Sequence, residues 1–277
     1  MTGLRDELHG APLGHATTYP DVYDAALLFA VPRSPQRAEI GITGALPFTG
    51  TDQWTAFELT WLGPSGKPEI AIATFCVPVT SRAIVESKSV KLYLGAFAQT
   101  RFDSGEEVRT TIARDLARAT GGTVGVALHA PASYAALGFA ELDGESLDAL
   151  PVPIQRYHPT PDVLVAGGTT LTEILRTDLF RSLCPVTLQP DFASVAVAYR
   201  GPRIDHSGLL RYLVSFRNHT GFHEHCVERI FVDVMERCRC QTLAVHARFT
   251  RRGGVDINPF RTSASDGTPP YVRTARQ

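Results

Sequence analysis

IVESKSVKLYLGAFAQTRFDSGEEVRTTIARDL (residues 84–116) and RIDHSGLLRYLVSFRNHTGFHEHCVERIFVDVM (residues 203–235) share one layout at an offset of 119 positions. In both stretches an acidic residue is followed by a Tyr-Leu-x-x-Phe pattern, a loop and a helix-like segment. Identities are few, but the shared order of features indicates an internal repeat. The repeat aligns Glu86 with Asp205, and it aligns Tyr93 with Tyr212.

The segments around each copy predict the same local structures. Alternating apolar residues upstream of each copy, at 69–79 and 188–198, are typical of strands. Apolar residues recur on one face of segments 105–120 and 226–238, which predicts two amphipathic helices. The sequence therefore predicts an α+β protein of two tandem modules, each an antiparallel sheet with helices on one face.

Proline and polar residues at 144–162 predict a linker with some strand character between the modules. We place the first module at residues 1–150, and the linker with the second module at residues 151–277. The second module is expected to close with a strand over 241–254. The remaining tail is expected to be irregular after Phe260.

Composition excludes several classes of protein. The chain has 277 residues, 44% hydrophobic residues and a net charge of −1, so neither nucleic acid nor an anionic membrane is expected as a partner. Residues 1–20 lack the apolar stretch of a signal peptide, and no run approaches the roughly 20 apolar residues of a membrane helix. Five cysteines, an odd number in a chain of this size, favour a reducing compartment. These features predict a soluble, cytoplasmic protein.

Lysine is rare and unevenly distributed. Of 27 basic residues only three are lysines, and Lys88 and Lys91 lie within six positions. A compact ammonium suits contact with a phosphate group, which gives this stretch a functional interpretation. Chance clustering is the alternative.

One cysteine lies in an unusual context. RSLCPVTLQPD (181–191) places Cys184 in a polar turn, seven residues before Asp191. A thiolate is a good nucleophile near neutral pH, and a nearby carboxylate can accept its proton. Taken alone, a lone cysteine is more often structural and an aspartate after proline is more often a turn residue. The loop is short enough to bring Asp191 back toward Cys184.

Imidazoles, carboxylates and thiols also cluster at FHEHC (222–226) and CRC (238–240). For His223 and Glu224, a binding role and a simple helix start are equally supported by the residues alone, since the helix dipole favours an early glutamate. Zinc is an alternative reading of these thiols and imidazoles. However, the Cys-x-x-Cys spacing of a structural zinc site is absent, so no metal site is predicted.

Together, IVESKSVKLYL, LCPVTLQPD, FHEHCVERI and RRGGVDINPFR resemble the NADPH-dependent 7-cyano-7-deazaguanine reductases in their long, two-module form. The resemblance covers nearly the whole chain and preserves the order and spacing of four motifs. It implies a tunnelling fold, and reduction of a nitrile to a primary amine in the synthesis of the tRNA nucleoside queuosine. Because such modules usually close their barrels by assembly, we expect a homodimer.

The resemblance also implies roles for individual residues. Cys184 would add to the nitrile as a thioimide, Asp191 would transfer the proton, and His223 would donate a proton during the later reduction. The other assignments fall into two sets. The substrate, 7-cyano-7-deazaguanine, would contact Val85, Glu86, Ser87, Phe222, His223 and Glu224. The cofactor, NADPH, would contact Ser87, Lys88, Arg252 and Gly253.

Two observations bear on alternatives to this assignment. No GxGxxG pattern follows a strand, so a Rossmann fold is not expected to bind the cofactor. A zinc-dependent enzyme, or a non-catalytic tunnelling-fold protein that binds a pterin or purine, would also fit the fold. Metal analysis distinguishes the first alternative, and NADPH consumption in the presence of the nitrile distinguishes the second.

Overall fold

A computed structural model describes residues 19–265, 267, 269 and 272–277. The segment on which the expected absence of a signal peptide rests lies almost entirely outside these residues. The chain forms two compact units. The first unit comprises Met1–Gln36, Asp52–Gly138 and Arg251–Asp256, and the second comprises Arg37–Thr51, Phe139–Thr250 and Ile257–Gln277. These units differ from a single division at residue 150 in three segments, 37–51, 139–150 and 251–256.

The elements occur in the following ranges. The α-helices are α1 (Ser34–Glu39), α2 (Ser87–Gly95), α3 (Gly105–Thr120), α4 (His206–Ser215) and α5 (His223–Cys238). The strands are β1 (Ala30–Pro32), β2 (Thr49–Leu62), β3 (Pro68–Pro78), β4 (Ala83–Val85), β5 (Gly125–His129), β6 (Glu145–Ser146), β7 (Ala166–Leu183), β8 (Pro190–Ile204), β9 (Thr242–Phe249) and β10 (Val255–Thr262). Short 3₁₀ helices occupy Ala25–Leu27, Ala96–Gln99, Pro131–Leu137, Pro161–Val163 and Phe216–Asn218. No helix in the described ranges is long and apolar enough to cross a membrane.

In the first unit, β3 lies between β2 and β5 and pairs antiparallel with β5. β1 and β4 form a separate two-stranded antiparallel sheet. Helix α3 packs against β4 and β5. Ser104 caps α3 by accepting a hydrogen bond from the Glu107 amide, and Gly121 ends it at φ 70°, a conformation that glycine adopts without strain.

In the second unit, the strand order is β10-β9-β8-β7-β6. The pairs β7–β8, β8–β9 and β9–β10 are antiparallel, whereas the two-residue strand β6 lies parallel to β7. Helix α5 packs against β7, β8 and β9. Its face carries Val227, Ile230, Phe231 and Val234, all fully buried as the sequence pattern predicts. The predicted α+β class, with antiparallel sheets and helices, is confirmed.

The repeat has a physical counterpart in each unit. Glu86 caps α2 through its carboxylate, and the aligned Asp205 caps α4 by accepting a hydrogen bond from the Gly208 amide at 2.8 Å. The Tyr93 hydroxyl donates to an aspartate on α3 at 2.9 Å, and the Tyr212 hydroxyl donates to an aspartate on α5 at 2.5 Å. Each copy thus starts its first helix with an acid and links it to the next helix through a tyrosine.

Several boundaries differ from the sequence expectation. Helix α5 begins at His223 rather than at residue 226, and its N-cap, Phe222, makes no side-chain capping bond that a sequence pattern would reveal. β9 ends at Phe249, five residues before the expected end of that strand. The tail stays extended to Thr262 in β10, two residues beyond the expected start of irregular structure.

Candidate active site

Cys184 lies in the tight turn that joins β7 to β8. The last paired residues are Ser182 with Asp191 and Leu183 with Pro190, so Asp191 lies across the hairpin from the strand that ends beside the cysteine. The Cys184 amide donates to the Gln189 carbonyl at 2.9 Å, and the Leu188 amide donates to the Cys184 carbonyl at 3.0 Å. Leu188 has φ 58°, which a leucine rarely adopts. These contacts fix the backbone around a thiol that is only 6% exposed.

The segment before α5 is attached to the same strand end. The Leu183 amide donates to the His219 carbonyl at 2.8 Å, and the Gly221 amide donates back to the Leu183 carbonyl at 3.1 Å. This short parallel bridge ties the start of α5 to the residue that precedes Cys184. The structure therefore brings the LCPVTLQPD and FHEHC motifs together within the second unit.

His223 faces Asp191. Its Nε2 atom lies 3.4 Å from Asp191 Oδ2, and the two side chains are 15% and 6% exposed. The imidazole lies flat on the Phe249 ring, with centroids 3.8 Å apart and planes inclined by 3°. The Nδ1 atom is buried, with no hydrogen-bond partner among the described residues. Stacking thus fixes the plane of an imidazole that can exchange a proton with Asp191.

Glu224 is the only acidic residue in the first turn of α5, and it is 4% exposed. The positive end of the helix dipole favours its charged form there. Phe222 precedes the helix and is partly exposed. The structure therefore supplies a carboxylate and an aromatic ring beside the His223–Asp191 pair.

Burial has a strong effect on three other cysteines of the second unit. Burial raises the pKa of Cys226 to about 12, with a smaller lowering effect from Ser182 and a smaller raising effect from Asp191. Burial likewise raises the pKa of Cys238 to about 12 and that of Cys240 to about 11. Thiols with such pKa values stay protonated and are poor nucleophiles near neutral pH.

The HEHC and CRC motifs do not assemble a set of metal ligands in the described part of the chain. The one group of three potential ligands that the described residues bring together is Glu145, Glu173 and His206, which contains no cysteine. Glu173 in that group accepts hydrogen bonds from Tyr199 and lies 3.1 Å from His206, so an ordinary polar network accounts for its position.

Glu86 has a role in the first unit that sequence reasoning missed. Its Oε1 accepts from the Lys88 amide at 2.7 Å, its Oε2 accepts from the Ser89 amide at 2.8 Å, and the residue is fully buried. The carboxylate is therefore the N-cap of α2, a role that an acid before Ser-Lys-Ser-Val signals in sequence. Val85 is buried in the β1–β4 pair, and Ser87 and Lys88 at the start of α2 are half-buried.

Arg252 and Gly253 belong to the first unit as well, although they lie within the predicted second module in sequence. They form a turn in which the Arg252 amide donates to the Val255 carbonyl at 2.9 Å. Gly253 has φ 59°, and a Cβ added there would lie 3.3 Å from Cδ of Lys91. The first unit thus brings Lys91, three residues after Lys88 on α2, against the Arg252–Gly253 turn. Cationic groups around an exposed glycine turn suit a phosphate-bearing ligand.

Two family models and several named proteins match this chain. Residues 19–128 match the family model described as "Nitrile reductase, 7-cyano-7-deazaguanine-reductase N-term", and residues 190–268 match the model "QueF-like protein". The chain is 56% identical over 269 residues to a protein of Burkholderia multivorans named "NADPH-dependent 7-cyano-7-deazaguanine reductase", covering 96% of this chain and 98% of that protein. Proteins of the same name in Burkholderia cenocepacia and Burkholderia vietnamiensis are 56% and 55% identical, each over 96% of this chain and 98% of its relative. A crystal structure titled as the archaeosine synthase QueF-Like in the apo form aligns with 36% of this chain and 99% of its own, at 16% identity and a TM-score of 0.32, which is too low to support an argument.

Proposed function

The chain belongs to the family of NADPH-dependent 7-cyano-7-deazaguanine reductases, and we propose that it reduces its nitrile substrate through a covalent thioimide on Cys184. The product is the primary amine 7-aminomethyl-7-deazaguanine, an intermediate in queuosine synthesis. The identity of 56% over 96% of the chain supports the reaction. The observation that supports the proposed mechanism is the hairpin that places Asp191 across from the strand leading to Cys184, with His223 beside Asp191.

In the first step, the Cys184 sulfur forms a bond to the nitrile carbon. Asp191 accepts the thiol proton and returns it to the nitrile nitrogen, so that the C≡N bond becomes the C=N bond of a thioimide. No atom is lost in this addition. The backbone hydrogen bonds around Cys184 support this role because they fix the turn at the end of the β7–β8 hairpin.

When bound, NADPH supplies one hydride for each of two successive reductions. After the first reduction, Cys184 leaves as the C–S bond breaks, and the substrate carbon becomes an imine. His223 donates a proton to nitrogen as the imine is reduced to the amine. In total, the nitrile takes up two hydrides and two protons, which balances the conversion of C≡N to CH₂NH₂.

Residues of the first unit are proposed to hold the cofactor. The set consists of Ser87, Lys88, Arg252 and Gly253. The assignment is supported by the positively charged turn at Arg252 and Gly253, against which Lys91 also packs. A glycine at φ 59° with its surface exposed lets a phosphate approach the backbone without steric conflict. The cations would balance the negative charge of the cofactor phosphates.

The proposed substrate contacts come from two segments of the sequence, 222–224 and 85–87. The Glu224 carboxylate would accept two N–H bonds from the amino-pyrimidinone edge, and Phe222 would stack on the ring. Val85, Glu86 and Ser87 are assigned to the substrate by resemblance to the family. For Glu86 this contact would add to its capping bonds, since a carboxylate oxygen can accept more than one hydrogen bond.

We further propose a homodimer in the cytoplasm, with neither nucleic acid nor membrane as a partner. A nucleophilic thiol requires a reducing compartment to remain active, and a net charge of −1 offers no attraction to polyanions.

The reaction is tested by following NADPH absorbance with 7-cyano-7-deazaguanine present. The proposal predicts consumption of two NADPH per amine formed, and none without the nitrile. Cys184→Ala should abolish consumption, while Cys226→Ala serves as the matched control at a thiol that burial makes unreactive. A stoichiometry of one, or full activity of Cys184→Ala, would contradict the proposal.

A further inference from the structure

Phe249, on which His223 stacks, has an unusual set of backbone partners. The registered pairs of β9 with β10 run from Ala244 to His246, three residues short of Phe249. Beyond them, the Phe249 amide donates to the side-chain Oδ1 of Asn258 at 3.1 Å. Its carbonyl accepts a hydrogen bond from Nε2 of Gln277 at 3.0 Å. Phe249 pairs with Ala193 of β8 on one edge, and two side-chain amides thus take the place of a β10 backbone partner on the other.

Gln277 is held in a single orientation. The residue is 5% exposed, and its Oε1 accepts from Arg248 Nε at 2.9 Å and from the Thr274 amide at 3.1 Å. Its Nε2 also donates to Asn258 Oδ1 at 2.7 Å. Because Arg248 offers only donors and the Phe249 carbonyl only accepts, the amide cannot be flipped without loss of both contacts.

Direct contacts continue from Gln277 into the candidate active site. Gln277 holds the Phe249 backbone, the Phe249 ring lies 3.8 Å from the His223 ring, and His223 Nε2 lies 3.4 Å from Asp191. All four residues belong to the second unit. Since parallel ring planes at this distance leave the imidazole little freedom to tilt, a shift of Phe249 must move His223 relative to Asp191.

We propose that Gln277 is a positioning residue of the nitrile reduction, acting through Phe249 to set the plane of the His223 imidazole. This inference rests on the proposed function of His223 as a proton donor. The contacts described above link Gln277 to His223 through Phe249. Its effect is confined to the steps in which His223 gives up a proton, and addition of Cys184 to the nitrile proceeds without it.

Two substitutions separate the parts of the Gln277 amide. Gln277→Met keeps the length of the side chain and removes both hydrogen-bonding groups. Gln277→Glu keeps an acceptor for Arg248 but places an oxygen against the Phe249 carbonyl and Asn258 Oδ1. Both should lower kcat by roughly tenfold to a hundredfold, the cost of a small misplacement of a catalytic group. Gln241→Met, at an exposed glutamine that bonds Arg200, is the matched control and should stay within about twofold of wild type.

A double-mutant cycle with His223→Asn distinguishes positioning from simple stabilisation. If Gln277 acts through His223, Gln277→Met should change the single-turnover rate of amine formation by less than about threefold in the His223→Asn background. Leu209→Ala, a truncation of a buried residue in α4, provides a stability-matched comparison. Mass spectrometry should detect the Cys184 adduct in every Gln277 variant.

The same tenfold or greater loss in both backgrounds would overturn the inference, as would unchanged kcat in folded Gln277→Met or Gln277→Glu protein. So would a loss in Leu209→Ala equal to that in Gln277→Met at the same Tm. Failure of wild-type enzyme to form an adduct would instead refute the proposed function itself, so the two failures are distinguishable.

Discussion

His223 Nε2 lies 3.4 Å from Asp191 Oδ2 in the second unit, and both side chains are largely buried. Asp191 in turn pairs across the hairpin with Ser182, two residues before Cys184. One carboxylate therefore has the cysteine turn on one side and an imidazole on the other. In the proposed mechanism this carboxylate passes the thiol proton to the substrate, and His223 lies beside it for the later proton transfer.

Asp191→Asn tests the first proton transfer. The amide keeps the size of the side chain and removes the proton acceptor, so formation of the Cys184 adduct should slow by roughly 10²–10⁴-fold. Rapid-quench mass spectrometry measures this rate without NADPH. Asp162→Asn, at a carboxylate that is 76% exposed and pairs with Arg237, should leave the rate unchanged. An Asp191→Asn rate equal to wild type would remove Asp191 from the chemistry.

Glu224→Gln tests recognition of the substrate edge. The change removes a charge-assisted contact worth about 1.5–3 kcal/mol, so substrate affinity should fall by roughly 10- to 150-fold, while the KM for NADPH should hardly change. Isothermal titration with substrate measures the affinity. Glu236→Gln lies on the exposed end of the same helix and is the matched control. Equal substrate affinity in wild type and Glu224→Gln would exclude Glu224 from the binding site.

Lys88→Met tests the cofactor contact in the first unit. Loss of the ammonium should raise the KM for NADPH about tenfold, and should reduce the dependence of that KM on salt concentration because one ion pair is removed. Lys67→Met is the control, since Lys67 is the exposed third lysine of the chain. The amount of Cys184 adduct formed without NADPH should not change. Identical effects at both lysines would argue against a specific site.

Buried histidines predict a loss of stability in acid. Burial lowers the pKa of His225 to about 3, that of His219 to about 4 and that of His246 to about 3. Below the unfolded pKa of about 6.5, the unfolded chain binds protons that the folded chain does not, so the free energy of unfolding falls as pH falls from about 6.5 toward these values. His225 alone should account for about 2 kcal/mol between pH 7 and pH 5.

The measurement is urea unfolding at both pH values. His225→Leu should make stability less dependent on pH, whereas His158→Leu, at an exposed histidine, should not. If His225→Leu kept the pH dependence of wild type, protonation of His225 would not contribute to it.

The fold followed from the sequence where local signals were strong. The helix predicted over 105–120 from its apolar face matches α3 to the residue, and Ser104 and Gly121 are typical N- and C-terminal signals at its ends. Helix α5 was predicted three residues short because its N-cap is Phe222, which carries no capping group. The tail was expected to be irregular after Phe260, yet Arg261 and Thr262 pair with β9, a long-range contact with no local signal.

The site was only partly predictable for the same reason. Cys184 and Asp191 are close in sequence, so a hairpin could be expected to bring them near each other. The attachment of residues 219–221 to Leu183, the stack of Phe249 on His223, and the return of Arg252 to the first unit depend on tertiary packing. Gln277 carries no sequence signal at all, because a glutamine in a polar tail is indistinguishable from a solvated one.

The most direct test of the account is the intact mass of the enzyme incubated with 7-cyano-7-deazaguanine and without NADPH. Nucleophilic addition by Cys184 predicts an increase equal to the whole mass of the substrate, localised to the peptide that carries Cys184, and its disappearance with release of the amine when NADPH is added. Cys184→Ala should show no increase, and Cys226→Ala should behave as wild type. An unmodified mass without NADPH for a wild-type preparation that turns over once NADPH is added, or an adduct that persists in Cys184→Ala, would contradict the thioimide mechanism.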